Sequence, residues 1–286
     1  MKHLFEDSNT GGRFSLLIND RSLKGAGILN EKKETTNTIV FNVGPAQTVT
    51  IDQVPYAFPA NSALALVAHH HFIFEQPENL VAWQFNREFY CIVDHDAEVG
   101  CAGFLFYGIH HPMILQLTAD ERKVITLLKN LCVEDMVVKD TMQGEMLRTV
   151  LKRLIINITR VARKNVLSGG KISADKFDLL RKFNMLLEQH FRKEHEVRFY
   201  AEALHRSPKT LSNLFALIEY PPPSLLIRKR LILEARRYQL LTGMSAKEIA
   251  YTLGFTSPSH FSNFFKKHSG NNFSNSRSQE ASQGYN

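Results

Sequence analysis

The chain has 286 residues, 44% of them hydrophobic, and a formal net charge of +7 from 35 Lys and Arg against 28 Asp and Glu. That length suits two domains, each with its own core. The three cysteines, Cys91, Cys101 and Cys132, are odd in number and form no CxxC, which argues against a disulfide framework and for a reducing compartment. No uncharged apolar run approaches the roughly 20 residues of a membrane helix, and MKHLFEDSNTGGRF lacks the apolar core of a signal peptide. The expectation is a soluble, cytoplasmic protein with no membrane partner.

Residues 1 to about 12 are polar and read as loose. From Phe14 to Phe106 short apolar runs alternate with turn residues: Thr38–Val43, Thr48–Asp52, Tyr56–Phe58, Ala63–Ala68, Phe72–Phe74, Val81–Phe85 and Phe89–Val93. Short strands at regular spacing without intervening helices predict a small antiparallel barrel or sandwich. If such a barrel takes a small effector, Tyr56, His70, Trp83 and Phe85 are candidate lining residues.

After Thr118 the period changes. Val124, Leu127, Leu128 and Leu131 form a helical stripe. A second helix is expected over Thr141–Lys164, where Leu147, Leu151, Leu154, Ile158 and Val161 are spaced 4, 3, 4, 3. Such spacing makes a coiled-coil seam over two heptads. It permits a homodimer through residues 118–164, or a helix packed on its own barrel; Val150 and Ile155 broaden the stripe. Residues 165–173, with Gly169 and Gly170, read as the linker. A helix over Asp175–Lys193 follows, with Phe177, Leu180, Phe183, Leu187 and Phe191 inward.

The most informative feature comes next. Ser207-Pro208-Lys209-Thr210-Leu211-Ser212-Asn213-Leu214-Phe215 recurs as Ser257-Pro258-Ser259-His260-Phe261-Ser262-Asn263-Phe264-Phe265. Each copy begins with a Ser N-cap and a Pro at the first helical position, then sets apolar residues behind and small polar ones in front. A short helix precedes each copy, Val197–Leu204 and Ala246–Leu253, the second opened by the capping box of Ser245 and Glu248. Helix, tight turn, helix, made twice, is the helix-turn-helix plan, whose second helix enters the major groove. Between the units a helix over Ser224–Leu241 would span roughly 27 Å, a spacer that suits major-groove faces about 34 Å apart.

Charge follows the repeat. Between Ala174 and Arg277 there are 17 basic and 9 acidic residues, whereas residues 1–173 hold 18 of each. Positive charge concentrated in one domain is the footprint of a polyanion, most often nucleic acid. Residues 278–286 are polar and read as a disordered tail.

Phe191 to Arg277 resembles the DNA-binding domain of the AraC/XylS family of bacterial transcription regulators. The resemblance rests on SPKTLSNLF, on RLILEARRYQLLTGMSAKEIAYTLGFTSPSHFSNFFKKHSG and on Arg277. More weakly, the N-terminal half is similar to the cupin-type β-barrel of many members. Tyr220 stands where members usually have Gly, and Phe273 where they usually have Pro. The resemblance implies an α+β architecture: a cupin-like antiparallel β-barrel with a helical dimerisation segment over 1–165, then an all-α double helix-turn-helix domain over 174–277. It also implies sequence-specific double-stranded DNA binding, activation of transcription, RNA polymerase as a partner and a sensing N-terminal domain.

A helical wheel turns Lys209, Ser212, Asn213 and Ala216 outward in the first recognition helix, and Ser259, Ser262, Asn263 and Lys266 in the second, with His260 at the edge. By the resemblance, the base-contacting positions are Lys209, Ser212, Asn213, Ser259, His260 and Asn263. Asn pairs bidentately with adenine, and Lys donates to guanine. Arg228, Lys229, Arg230, Arg236, Arg237, Lys266, Lys267 and Arg277 are candidates for phosphate contact, which positions without specifying.

Two other readings compete. His69-x-His71-x-x-x-Glu75 fits the pattern of metal-binding cupins, and imidazole with carboxylate suits Fe, Mn or Ni, which would make the chain a cupin-type metalloenzyme with a helical appendage. Against it, the Gly that usually opens that pattern is absent and strand alternation keeps the three histidines from all pointing inward, and the reading adopted has no metal, no cofactor and no enzymatic role. No phosphate-binding loop or nucleophile elbow occurs. The other reading is a regulator whose N-terminal half takes no small-molecule ligand.

Overall fold

Among the described residues, nine strands build the first part of the chain, and every ladder between them is antiparallel. They are β1 (Lys2–Glu6), β2 (Arg13–Ile18), β3 (Asn37–Asn42), β4 (Gln47–Ile51), β5 (Val54–Phe58), β6 (Ser62–Leu66), β7 (Phe72–Phe74), β8 (Leu80–Phe85) and β9 (Ile114–Gln116). The computed structural model describes residues 1–24, 36–51, 54–67, 72–92, 95, 105–106, 113–168, 173–217, 220–270 and 272–273. Contacts divide the chain into two units, Met1–Ala174 and Asp175–Asn286.

In the first unit the strands make two sheets, one ordered β1-β2-β8-β3-β6-β9 and one ordered β5-β4-β7. Among the described residues they do not close into one barrel. They share one core: Val40, Leu64, Leu66, Leu80 and Ala82 of the larger sheet meet Val49, Ile51, Phe58, Phe72 and Phe74 of the smaller. This is a two-layer antiparallel β-domain. A buried side-chain amide ties the layers. Asn42 Nδ2 donates to the Pro45, Phe58 and Pro59 carbonyls at 2.7, 3.1 and 3.1 Å, so burying it leaves none of its donors stranded.

Two expectations about its strands fail. The N-terminal residues are ordered as β1, whose register runs from Lys2 opposite Leu17 to Glu6 opposite Arg13. They alternate between exposed and half-buried positions, the pattern of an edge strand. The run from Phe89 is no strand. Asn86 Oδ1 accepts the amides of Arg13 and Phe89 at 2.7 and 3.0 Å, and Tyr90 N–H bonds the Asn86 carbonyl at 3.2 Å. A side-chain acceptor bends the chain into a turn before a ladder can form. Ala68, Val93, His69 to His71 and His110 and His111 lie outside the described residues.

Two helices complete the unit, α1 (Ala119–Val137) and α2 (Gln143–Ser168). A capping box starts α1, with the Thr118 hydroxyl on the Glu121 amide and the Glu121 carboxylate on the Thr118 amide. Its inward residues are Ile125, Leu128, Cys132 and Met136, while Leu127 is exposed. In α2 the predicted seam is spent inside the unit: Leu147, Leu151, Leu154 and Ile158 are at most 1% exposed, and Val161 is 7% exposed. Val150, Ile155 and Ala162 are buried beside them. A stripe that wide is a packing face rather than a two-helix seam. α2 also extends to Ser168, past the position expected for the linker to begin.

The second unit is helical: α3 (Ala174–His190), α4 (Val197–Ala203), α5 (Pro208–Leu217), α6 (Pro223–Leu241), α7 (Ala246–Thr252) and α8 (Pro258–Ser269). Phe177, Leu180, Phe183, Leu187 and Phe191 all point into its core, as their spacing predicts. α6 buries Ile227, Leu231 and Ala235 along one side and packs against α4, α5, α7 and α8.

Candidate nucleic-acid interface

α5 and α8 are built alike from the inside out. The Ser207 hydroxyl accepts the Thr210 amide at 3.0 Å, and the Ser257 hydroxyl accepts the His260 amide at 3.2 Å. Each serine thereby satisfies one orphan donor of its helix start. Behind, Leu211 and Phe215 are fully buried in α5, as Phe261 and Phe265 are in α8. Leu214 and Phe264 are half-buried at matching positions. Phe183 of α3 meets the Phe215 ring edge-on at 5.0 Å, and Phe255 meets Phe261 at 5.3 Å. Each helix is anchored by its aromatic back.

Their fronts are free. Lys209, Ser212, Asn213 and Ala216 are exposed on α5, and Ser259, His260, Ser262, Asn263, Lys266 and Lys267 are exposed on α8. Hydrogen-bonding groups on a helix whose back is fixed are what a major-groove reader requires. Tyr220 and Phe273 act as plugs at the rear of the two helices. The Tyr220 ring lies on Phe215 at 5.6 Å, and Phe273 is edge-on to both Phe261 and Phe265 at 5.0 and 4.9 Å. Burial pushes the Tyr220 hydroxyl well above its ordinary pKa, against a hydrogen bond with Asn184.

The basic residues divide. Lys229 and Arg236 are exposed on α6, and Arg228 is half-buried. Arg230 is 9% exposed and is held by Glu188 at 2.7 Å and Glu234 at 2.9 Å. Its guanidinium also lies over the Phe191 ring at 3.9 Å. Arg230 is therefore an internal ion-pair residue, not a phosphate contact. The side chain of Arg237, and all of Arg277, lie outside the described residues.

One titratable group escaped sequence reasoning. His268, in the last turn of α8, has its pKa lowered by burial first and then by the neighbouring charges of Arg228 and Lys267. The charges of Arg228 and Lys267, converging from α6 and α8 on this imidazole, suit a polyanion, whose binding would favour its protonated form. The signal was present in the run Lys266-Lys267-His268, but only the fold adds Arg228 to it.

The candidate effector residues do not converge. Along β8, Leu80 and Ala82 point into the core between the sheets. Trp83 and Phe85 must then point to the opposite face, where Trp83 meets Phe41 at 5.3 Å and Phe85 meets Tyr90 and Phe106 at 6.2 Å. Both are fully buried there. Trp83 also interacts with the Cys132 thiol of α1, which burial first, and then Asp135, push up to about 12. Tyr56 borders the other core, between the sheets. His70 lies outside the described residues. Tyr56 and the Trp83–Phe85 pair therefore cannot line one pocket.

Comparison with known proteins bears on the same segment. Residues 200–279 match the family described as a helix-turn-helix domain, spanning α5 through α8 and both recognition helices. The C-terminal unit carries a helix-turn-helix domain. That makes the chain a DNA-binding transcription regulator. No curated protein matches it. Among solved structures it is similar to ToxT from Vibrio cholerae with an unsaturated fatty acid bound, at 14% identity and TM-score 0.41 over 97% of this chain and 90% of that one. It is similar to ToxT from Vibrio cholerae in its P21 crystal form, at 15% identity and TM-score 0.40 over 93% of this chain and 89% of that one. It is also similar to the AraC-like transcriptional activator CuxR, at 11% identity and TM-score 0.31 over 81% and 75%. No helix among the described residues is long and apolar enough to cross a membrane.

Proposed function

We propose that the chain is a cytoplasmic, non-enzymatic activator that reads one operator with α5 and α8 in adjacent major-groove segments. The observation that carries this reading is the identical layout of the two helices: Leu211 and Phe215, like Phe261 and Phe265, are buried behind an exposed Ser and Asn front. Lys209, Ser212 and Asn213, with Ser259, His260 and Asn263, are the base-reading groups. Arg228, Lys229, Arg236, Lys266, Lys267 and His268 supply phosphate contacts, which hold the reader in register without carrying sequence information. Arg237 and Arg277 stay in the proposed set as basic residues near this surface in sequence.

RNA polymerase is the proposed protein partner. A homodimer through residues 118–164 would use the outer side of the α1–α2 hairpin, where Leu127, Val137, Val138, Met142 and Met146 are exposed, because the α2 stripe is already buried. A small effector at the N-terminal unit would act by binding one conformation more tightly, and so shift operator occupancy. Tyr56, at the edge of the inter-sheet core, is the candidate kept for that role.

The test is selection of duplexes from a random pool by the purified full-length chain, followed by footprinting of the winners. The expected result is one site with two protected half-elements on one side of the duplex. Failure to prefer any duplex over bulk competitor at moderate salt rejects the reading.

A further inference from the structure

α6 joins the two helix-turn-helix units, but it ends at Leu241, and residues 242–245 separate it from α7. A helix that stops there does not by itself fix where α8 points. The segment from His190 to His195, between α3 and α4, supplies the missing constraint.

On one side this segment holds the turn of the second helix-turn-helix unit. Gly254 has φ +76, and a Cβ there would lie 2.2 Å from the Arg192 carbonyl oxygen, so the two backbones touch. The His195 ring lies beside the Leu253 backbone, which favours its protonated form, and packs on Phe255 at 4.9 Å, and Phe255 in turn meets His260, Phe261 and Phe264 of α8. On another side the segment holds the first helix-turn-helix unit. Tyr200 of α4 donates to the Glu194 carbonyl at 2.7 Å, and Phe199 packs on His190 at 5.0 Å.

On the third side it grips α6. Arg192 donates to Glu234 at 2.6 Å and to the Tyr238 hydroxyl at 3.3 Å. Glu234, fully buried, accepts from Arg230 with its other oxygen, and Arg230 reaches back to Glu188 of α3. A buried chain of ion pairs contributes little more stability than apolar packing of the same volume, but its directional bonds penalise any other register.

We propose that Arg192 and Glu234 are positioning residues that set the spacing between the two recognition helices, so that the chain selects operators by the number of base pairs between half-elements. This rests on the DNA reading above. One inserted base pair moves a half-element by about 3.4 Å and rotates it by about 35°. A reader locked at His190–His195 cannot follow that movement; a loosened one can.

The test uses the duplex selected by the full-length chain and versions of it with one base pair inserted or removed between the protected half-elements, with Kd measured by fluorescence anisotropy. Wild type is expected to lose about tenfold or more on either change, the scale of a mismatched contact. Arg192→Ala is expected to keep its affinity for the unaltered duplex within about threefold while losing only about two- to threefold on the changed ones. Affinity for a single half-element should not move, which separates positioning from general destabilisation. Glu234→Gln should flatten the spacing profile in the same way. If Glu234→Gln does not fold, Arg192→Ala decides alone, since the Arg192 side chain is 43% exposed and its loss leaves Arg230 with both carboxylates. A wild-type chain indifferent to spacing, or an Arg192→Ala variant with the wild-type penalty, overturns the inference and leaves the DNA reading standing. If no duplex is selected at all, the DNA reading falls and this inference falls with it.

Discussion

In the first helix-turn-helix unit α4 ends at Ala203 and the chain turns through His205 at φ +54; in the second α7 ends at Thr252 and turns through Gly254 at φ +76. The turns close with the same bond, Arg206 N–H to the Ala201 carbonyl and Phe255 N–H to the Ala250 carbonyl, each at 2.9 Å. One left-handed position holds an exposed side chain and the other holds none. What separates them is what stands opposite. His205 faces open surroundings, whereas the Arg192 carbonyl occupies the place a Cβ at Gly254 would take. Left-handed backbone alone is a modest cost for a side chain; backbone-on-backbone approach requires glycine outright.

The sharpest way to break this comparison is to place alanine at each turn. Gly254→Ala should cost roughly 3 kcal/mol, since strain and a backbone clash combine. His205→Ala, which leaves the conformation and its surroundings unchanged, should stay within about 0.5 kcal/mol. Thermal unfolding of the full chain by calorimetry measures both. Equal losses would mean that the Arg192 contact is not what demands glycine.

Next in size are the two recognition helices themselves. Asn213→Ala and Asn263→Ala should each cost about 1–3 kcal/mol on a selected duplex and little on random DNA. Equal weakening on both kinds of DNA would reduce these side chains to non-specific contacts. The helix starts also differ. α7 opens with the Ser245–Glu248 capping box, in which the Ser245 amide and hydroxyl hold the Glu248 carboxyl below its usual range, while Glu196 ahead of α4 makes no side-chain cap bond. Ser245→Ala should therefore lose about 1 kcal/mol of stability, and Glu196→Ala should lose almost none.

Much of this was legible in the residues because its signals are local. Ser-Pro starts, apolar residues at i, i+3 and i+4, and an S-x-x-E box each act within one turn of helix. The misreadings share the opposite character. Arg228, Lys229 and Arg230 look alike in sequence, yet a 100° rotation per residue carries Arg230 inward to Glu188, 42 positions away. The α2 stripe shows that an apolar face exists but not whether the chain's own sheet or a second copy covers it. Asn86 turns Phe89 and Tyr90 out of a strand pattern by accepting amides from two segments 73 and 3 residues distant. For Trp83 and Tyr56, which face of which sheet each occupies depends on register.

Smaller again is a pH effect confined to the second unit's turn. Burial lowers the His195 pKa below the ordinary histidine value of 6.5, helped by His260 and opposed by the Leu253 backbone and Glu194. The unfolded chain then takes up the proton more readily than the folded one. Stability is full above 6.5 and is lost as the pH falls through that value toward the lower folded pKa. Wild type should lose more Tm than His195→Gln on going from about pH 7.5 to about pH 5.5. An identical loss in both would place the titrating group elsewhere.

The smallest effect isolates the first turn. His205→Gly relieves left-handed strain worth roughly 1–2 kcal/mol but adds about 0.5–1 kcal/mol of unfolded-chain entropy. The net gain should be only about 0.5 kcal/mol, read as a slight rise in the midpoint of urea unfolding. Because the His205 ring is exposed and the turn bond belongs to Arg206, nothing else in the unit offsets the change. A gain well above that size would mean that the strain at His205 exceeds its ordinary value, and that the first turn, like the second, is pressed by its surroundings. A loss would mean that the imidazole makes a stabilising contact in solution. Either result would remove the distinction drawn between an open left-handed turn and a crowded one.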